Sequence, residues 1–326
     1  MKPRTGFQSL LRRPIAHYLA AKRAAGCRFD AEERTIRLFD RFLVERGIAV
    51  LSQVTSDLVD AFLASRARPR PQSHNHLLGV LRRLFDWLVV QGVVSSSPVV
   101  ARPRPGTSSR LPFLFGAPQA RLLVSEAARL PDNPRGQYRG PTYRAIFAVL
   151  YGLGLRVGEV ARLLCGDVDF GRELLLVRDS KFGKSRLVPF GPRMAALLRE
   201  YQRGRPWPSA SEAPLFTFDG RRPIHTNSIR NTFRDVLLPR LGFLAPPGTS
   251  IPRVHDLRHS FAVGALLRWY RQGLDPAARL QHLSTFLGHV DPQSTAVYLT
   301  ITADLLQEAN RRFEAFAAPM IAEPGS

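Results

Sequence analysis

The stretch His255-Asp256-Leu257-Arg258-His259-Ser260-Phe261 decides the reading of this chain. It follows Pro252, which stops the preceding loop, and opens a helix predicted to run through Leu267. At helical spacing His255 and Arg258 share one face. An imidazole that exchanges a proton near neutral pH then stands beside a fixed cation, a pairing suited to phosphoryl transfer. His255 and His259, four apart, also match the spacing of a zinc-binding metalloprotease helix. That motif needs Glu directly after the first His, where this chain has the shorter Asp256, and no carboxylate or thiolate cluster offers a third ligand. No metal or other cofactor is expected.

Toward the C-terminus stands Leu287-Gly288-His289-Val290-Asp291-Pro292-Gln293-Ser294-Thr295-Ala296-Val297-Tyr298-Leu299. A helix should end at Gly288 and another begin after Pro292, leaving His289 in the turn. Tyr298 falls about two turns into the second helix. Alone it reads as a half-buried core tyrosine.

Upstream lies Gly152-Leu153-Gly154-Leu155-Arg156-Val157-Gly158-Glu159. Its glycines free the backbone before an amphipathic run and put Arg156 at a helix start. Backbone amides, the positive end of the helix dipole and a guanidinium fork together make a phosphate cradle. Alone, the same residues equally describe a surface arginine beside a packing glycine. Between these motifs, residues 174–177 and 186–190 read as strands around the basic turn Arg178-Asp179-Ser180-Lys181-Phe182-Gly183-Lys184-Ser185. A β-hairpin or three-stranded meander with lysines at its tip follows. Helices are predicted from Arg193 onward.

Residues 7–92 are helical in pattern, with Ile36, Phe39, Phe42 and Leu43 on one stripe and Leu77, Leu78, Leu81, Leu84, Phe85 and Leu88 on another. Roughly four helices result. Ser56 is read as a cap, and Gly26, Gly47 and Gly92 as stops. Residues 95–112, rich in Pro and Ser and carrying Arg102, Arg104 and Arg110, read as an extended basic linker.

With 326 residues the chain is of a size that divides into two domains, and 44% apolar content can fill both cores. There are 47 Lys plus Arg against 26 Asp plus Glu, a net charge of +21, with Arg dominating. The excess is +10 on residues 1–105 and +11 on the rest, so both parts can face one polyanion. Nucleic acid is the leading partner for such charge, with high-GC coding, which inflates Arg, Ala, Pro and Gly together, as the alternative source. Cys27 and Cys165 have no paired spacing, which excludes a disulfide framework and fits a reducing cytoplasm. Neither a signal peptide nor a membrane span is read from the sequence.

Taken together, Gly-Leu-Arg-Val-Gly-Glu, a lysine in a basic hairpin, His-Asp-Leu-Arg-His, Leu-Gly-His and then Tyr resemble the tyrosine recombinase (phage integrase) family, in order and in the short spacings, from about Gln8 to Glu314. The resemblance implies a mainly α protein. A SAM-like helical core-binding domain (1–97) and a basic linker (98–112) would precede an α+β catalytic domain (113–326) with a small antiparallel sheet and a C-terminal helix.

By the same resemblance, Tyr298 attacks a phosphodiester to form a 3′-phosphotyrosine and frees a 5′ hydroxyl, with neither ATP nor metal. Arg156 and Arg258 clamp non-bridging oxygens, His255 accepts or relays the tyrosine proton, and His289 bonds a non-bridging oxygen. Lys181 protonates the 5′ oxygen, with Lys184 as competitor. Glu159, Asp256 and His259 are read as structural. Lys184, Arg186, Arg82 and Arg83 are candidate DNA contacts. Expected partners are a duplex with inverted half-sites, further protomers in a tetrameric synapse and related recombinases, on the nucleoid in the cytoplasm. A type IB topoisomerase-like relaxation activity and an inactive DNA-binding relative are the alternatives. The 31 residues from Arg258 to His289 exceed the family's usual spacing, with residues 268–276 looking like added helix and turn.

Overall fold

A computed structural model describes residues 6–27, 29–106, 111–134, 136–178, 183–289, 293–300 and 307. The chain divides into two compact units, Met1–Ser109 and Arg110–Ser326.

The first unit holds four α-helices among its described residues: α1 (Arg12–Ala24), α2 (Asp30–Glu45), α3 (Ser56–Ser65) and α4 (Pro71–Val90). Both predicted stripes meet in one core, where Ile36, Phe39 and Leu43 of α2 pack with Leu77, Leu81 and Phe85 of α4. Phe39 sits edge-on to Phe62 and Phe85, the arrangement that ring quadrupoles favour. The cap of α3 is Thr55, one residue before the predicted Ser56; its Oγ1 accepts from the Leu58 N–H at 3.3 Å.

The segment read as a basic linker runs along this unit up to residue 104. Val99 is buried in the core, and the Ala101 carbonyl accepts from Arg82 Nη2 at 2.6 Å. Asn75 and the Arg104 backbone exchange two hydrogen bonds of 2.8 Å. A plain solvated tether would leave these groups to water; here side chains on α4 satisfy them.

The second unit begins with α5 (Ala117–Ala128), α6 (Arg139–Gly152) and the one-turn α7 (Val157–Val160). A meander follows, with β1 (Val168–Asp169), β2 (Leu174–Val177) and β3 (Arg186–Pro189) paired antiparallel in that order. Leu174 pairs with Pro189 and Val177 with Arg186, so Leu175, Val177 and Val188 enter the core. Residues 179–182 at the hairpin tip, Lys181 included, lie outside the described residues.

Next come α8 (Pro192–Gly204), α9 (Thr226–Asn231), a π turn (Thr232–Leu237), α10 (Leu238–Leu241), α11 (Asp256–Arg271), α12 (Pro276–Leu287) and α13 (Gln293–Ala296), then a 3₁₀ turn (Val297–Thr300). The expectation of helices from Arg193 onward fails between residues 205 and 225. There the buried Arg205 donates to the carbonyls of Trp207, Pro208, Pro214 and Leu215, holding irregular chain that would otherwise lack partners. The extra residues after Arg258 lengthen α11 and form the turn into α12, capped by Asp275. The C-terminal helix expected from the resemblance falls on residues 301–326, which apart from residue 307 lie outside the described residues. Among the described residues no helix is long and apolar enough to cross a membrane.

Candidate active site

The site assembles where the C-terminal end of α12 meets three arginines. A helix end leaves carbonyls without intrahelical partners and carries partial negative charge. Here Phe286 O accepts from Arg186 Nε at 2.8 Å, Leu287 O from Arg258 Nη2 at 2.7 Å, and Gly288 O from Arg156 Nη2 at 2.9 Å. Gly288 closes the helix at φ 69°, and a Cβ there would come within 2.7 Å of Arg186 Nη1. The second glycine that the geometry demands is Gly154, at φ 59°, where a Cβ would press 2.5 Å from Phe261; its carbonyl accepts from Arg258 Nη1 at 2.8 Å. Arg258 is thereby only 1% exposed.

Glu159 ties the other two arginines together. It accepts from the Arg156 N–H at 2.9 Å and from Arg156 Nη1 at 2.8 Å. Arg186 donates to both its oxygens at 3.0 Å. Burial raises the carboxyl pKa, but the hydrogen bonds and charges of Arg186 and Arg156 outweigh that effect and hold it at about 2. Burial is the main cause that lowers Arg258, to about 10, so it stays charged at neutral pH. Arg156, Arg186 and Arg258 against Glu159 leave a positive excess at a partly open site, which suits a phosphodiester.

Arg186, a candidate DNA contact in the sequence, is 10% exposed here and is held by Glu159 and the Phe286 carbonyl. The reason lies in the β3 register, which turns it inward onto a carboxylate 27 residues away. Arg82 is likewise spent on the Ala101 carbonyl, while Arg83 and Lys184 are exposed.

Four rings gather beside the arginines. His255 meets His259 edge-on at 4.7 Å between centroids, His259 lies 5.5 Å from Tyr298, and His289 stacks on Tyr298 at 6.4 Å. Tyr298 sits in the 3₁₀ turn after α13 rather than two turns into a helix, and is 3% exposed. Its hydroxyl is 2.9 Å from His259 Nδ1. His289 Nδ1 is 2.7 Å from Oγ1 of the buried Thr295, which fixes the ring.

Loss of water lowers all three histidines to about 4, with the positive charges of Arg258 and its neighbours adding to the effect. His255 keeps an open face, so solvent screens its surroundings most. Burial raises Tyr298 against the pull of Arg258 and Arg156. At neutral pH the cluster therefore comprises neutral imidazoles able to accept a proton and a phenol that holds its own.

Arg156, His255, Arg258, His289 and Tyr298, scattered over 143 positions of sequence, are thus brought together; Lys181 lies outside the described residues. Sequence reasoning missed His259 and Thr295 as members. His259 had a signal, the i, i+4 spacing from His255 that had suggested zinc. Among the described residues no group of three or more His, Cys, Asp or Glu is placed to hold a metal.

Residues 120–304 match the phage integrase family. The putative integrase/recombinase y4rB of Sinorhizobium fredii is 32% identical over 319 residues, 94% of this chain and 98% of that protein. Tyrosine recombinase XerC of Rhodospirillum centenum is 30% identical, covering 76% of this chain and 67% of its own length. Among solved structures, a lambda integrase dimer bound to a COC' core site shares the fold, with TM-score 0.62 and 18% identity over 88% of this chain and 76% of that one. Lambda integrase as a tetramer bound to a Holliday junction gives 0.60 and 18%, over 86% and 78%.

Proposed function

Because this chain belongs to the phage integrase family of tyrosine recombinases, we propose that it is a site-specific DNA recombinase whose nucleophile is Tyr298. The observation that carries the assignment is the setting of the Tyr298 hydroxyl, bonded to a neutral imidazole and lying in the field of Arg258 and Arg156. A phenol so placed can lose its proton locally and attack a phosphate whose developing charge the guanidiniums stabilise. Arg156 and Arg258 hold the non-bridging oxygens, His289 bonds one of them, and Lys181 protonates the departing 5′ oxygen. His255 lies at the open edge and is assigned to the proton path of the tyrosine. The family match favours strand exchange over relaxation alone or binding without cleavage.

The partner is a duplex with inverted half-sites, bound by several protomers as lambda integrase is bound in its dimeric and tetrameric complexes. The basic helical unit of residues 1–97 and the catalytic unit each contribute to DNA binding, with Arg83 and Lys184 as exposed backbone contacts. The protein then works on the nucleoid.

Incubation with nicked suicide duplexes drawn from the gene's flanking DNA tests this. Wild type should leave an SDS-resistant protein–DNA adduct, and Tyr298→Phe should abolish it while DNA binding is kept. An adduct that persists in Tyr298→Phe refutes the nucleophile.

A further inference from the structure

The hydroxyl of Tyr298 is aimed at His259 and not at the histidine that sequence reasoning chose. Of the three rings in the cluster, His289 directs its Nδ1 to Thr295 and lies nearly parallel to the tyrosine, 20° between planes, so that it stacks on it. His255 meets the edge of His259 at the outer end. Of these three rings, His259 is the one hydrogen-bonded to the phenol, 2.9 Å from Nδ1 to Oη.

The backbone that carries the ring is also held. His259 belongs to the first turn of α11, whose start is pinned on two sides. Asp256 accepts from the Arg253 N–H at 2.8 Å, and Ser260, next to His259, donates to Asp256 O at 2.7 Å while accepting from the Phe115 N–H at 2.8 Å. A base needs this fixed geometry as much as a suitable proton affinity.

We propose that His259 is the proton acceptor for Tyr298, and the donor that returns the proton when the phosphotyrosine is resolved. The proposal rests on the recombinase reading above and refines its proton path. In the forward step the Tyr298 O–H bond breaks, its electron pair stays on oxygen and the proton passes to His259 Nδ1. The Oη–P bond then forms as the P–O5′ bond breaks, and the 5′ oxygen takes a proton from a separate cation, the role assigned to Lys181. In the reverse step a 5′ hydroxyl attacks phosphorus and returns its proton to the Lys181 amine, the Oη–P bond breaks and His259 gives its proton back to the tyrosine. The ring is neutral at physiological pH because lost hydration and the charges of Arg253 and Arg258 disfavour its cation; the hydrogen bond to the phenol, and not its proton affinity, marks it as the acceptor. His255 then acts on His259 or on the phosphate side, and not on the phenol.

The test uses the full chain and nicked duplexes enriched from a random library by covalent capture on wild type. His259→Ala should slow adduct formation by about 100-fold or more, the usual scale of a lost general base. Circular dichroism and duplex binding should be unchanged, and His259→Asn, closer in size, guards against a folding defect. A fluorinated tyrosine at position 298 ionises without a strong base. It should restore cleavage in His259→Ala by about tenfold or more but leave Arg258→Ala unrestored.

Cleavage by His259→Ala within a few-fold of wild type overturns the proposal, as does fluorotyrosine rescue of His255→Ala in place of His259→Ala. Absence of any wild-type adduct, or its survival in Tyr298→Phe, indicts the recombinase reading instead. A DNA-free measurement checks the contact by itself. The fluorine NMR shift of the labelled tyrosine should move in His259→Ala and in His259→Asn, and an unmoved signal in both overturns the proposal.

Discussion

Two buried carboxylates in this molecule are each gripped by two arginines, yet they do different things. In the N-terminal unit Glu33 accepts from Arg37 at 2.7 and 2.9 Å and pairs with Arg23. In the catalytic unit Glu159 accepts from Arg156 and Arg186. The local chemistry is the same. What differs is the far side of each guanidinium. Arg23 is 43% exposed and Arg37 lies over the Phe7 ring, so the described contacts of this pair stay within the first unit. Arg156 and Arg186 continue to the carbonyls at the end of α12, and through them to the turn that carries His289. An ion pair held between two helices staples one to its neighbour, whereas one that ends on an orphaned helix terminus fixes the position of the turn beyond it.

The sharpest way to break that comparison is to neutralise each carboxylate in turn. Glu159→Gln leaves two inward-facing guanidiniums without their anion and should cost about 3–5 kcal/mol in urea unfolding, with cleavage reduced at least as far as by loss of a clamp. Glu33→Gln, whose partner Arg23 can turn to water, should cost about 1–3 kcal/mol and leave adduct formation intact. Equal costs would show that the α12 connection contributes nothing.

Next in size is Gly288→Ala, which adds a left-handed strain of about 1–2 kcal/mol and a collision with Arg186. Lower thermal stability together with slower cleavage is the expected result; lost stability at a wild-type cleavage rate would separate the helix terminus from the chemistry.

Proton linkage sharpens the contrast further. The histidines of the catalytic site fall from an ordinary 6.5 to about 4, so the unfolded chain takes up protons first as pH drops. Their contribution is complete above pH 6.5 and is lost between 6.5 and about 4. Glu159 is depressed from 4.5 to about 2, so its contribution is lost over that lower window. Unfolding followed at pH 7 and pH 5 should show the catalytic unit weakening first, and replacing His259 and His289 by Phe should flatten the difference. A pH-independent midpoint for the wild type would contradict the linkage.

The smallest effect separates two neighbours on α4. Arg83→Ala should reduce the salt slope of duplex binding by about one ion and leave stability unchanged. Arg82→Ala should loosen the segment around Ala101 at a cost of about 1 kcal/mol, with little direct loss of phosphate contact.

Much of this was legible in the sequence. The helical stripes of the first unit and the hairpin of β2 and β3 were readable because periodicity and turn chemistry are local properties, whereas Arg156, Arg258, His289 and Tyr298 were singled out by the family resemblance, each alone reading as an ordinary surface or core residue. Arg205 and its irregular segment were not legible, since the carbonyls it serves come from chain that no period describes. Arg186 was read as a surface cation because a basic hairpin ordinarily faces solvent.

The sequence by itself determined the order of the candidate catalytic groups and their separations within each helix or turn, since helical geometry converts residue number into direction. Only the tertiary structure decided that Glu159 meets Arg186, that three guanidiniums close on the end of α12, and that His259, not His255, reaches the hydroxyl of Tyr298. Those choices join residues 27 to 132 positions apart. They follow from how helices pack and where unpartnered carbonyls are left, which no local pattern encodes.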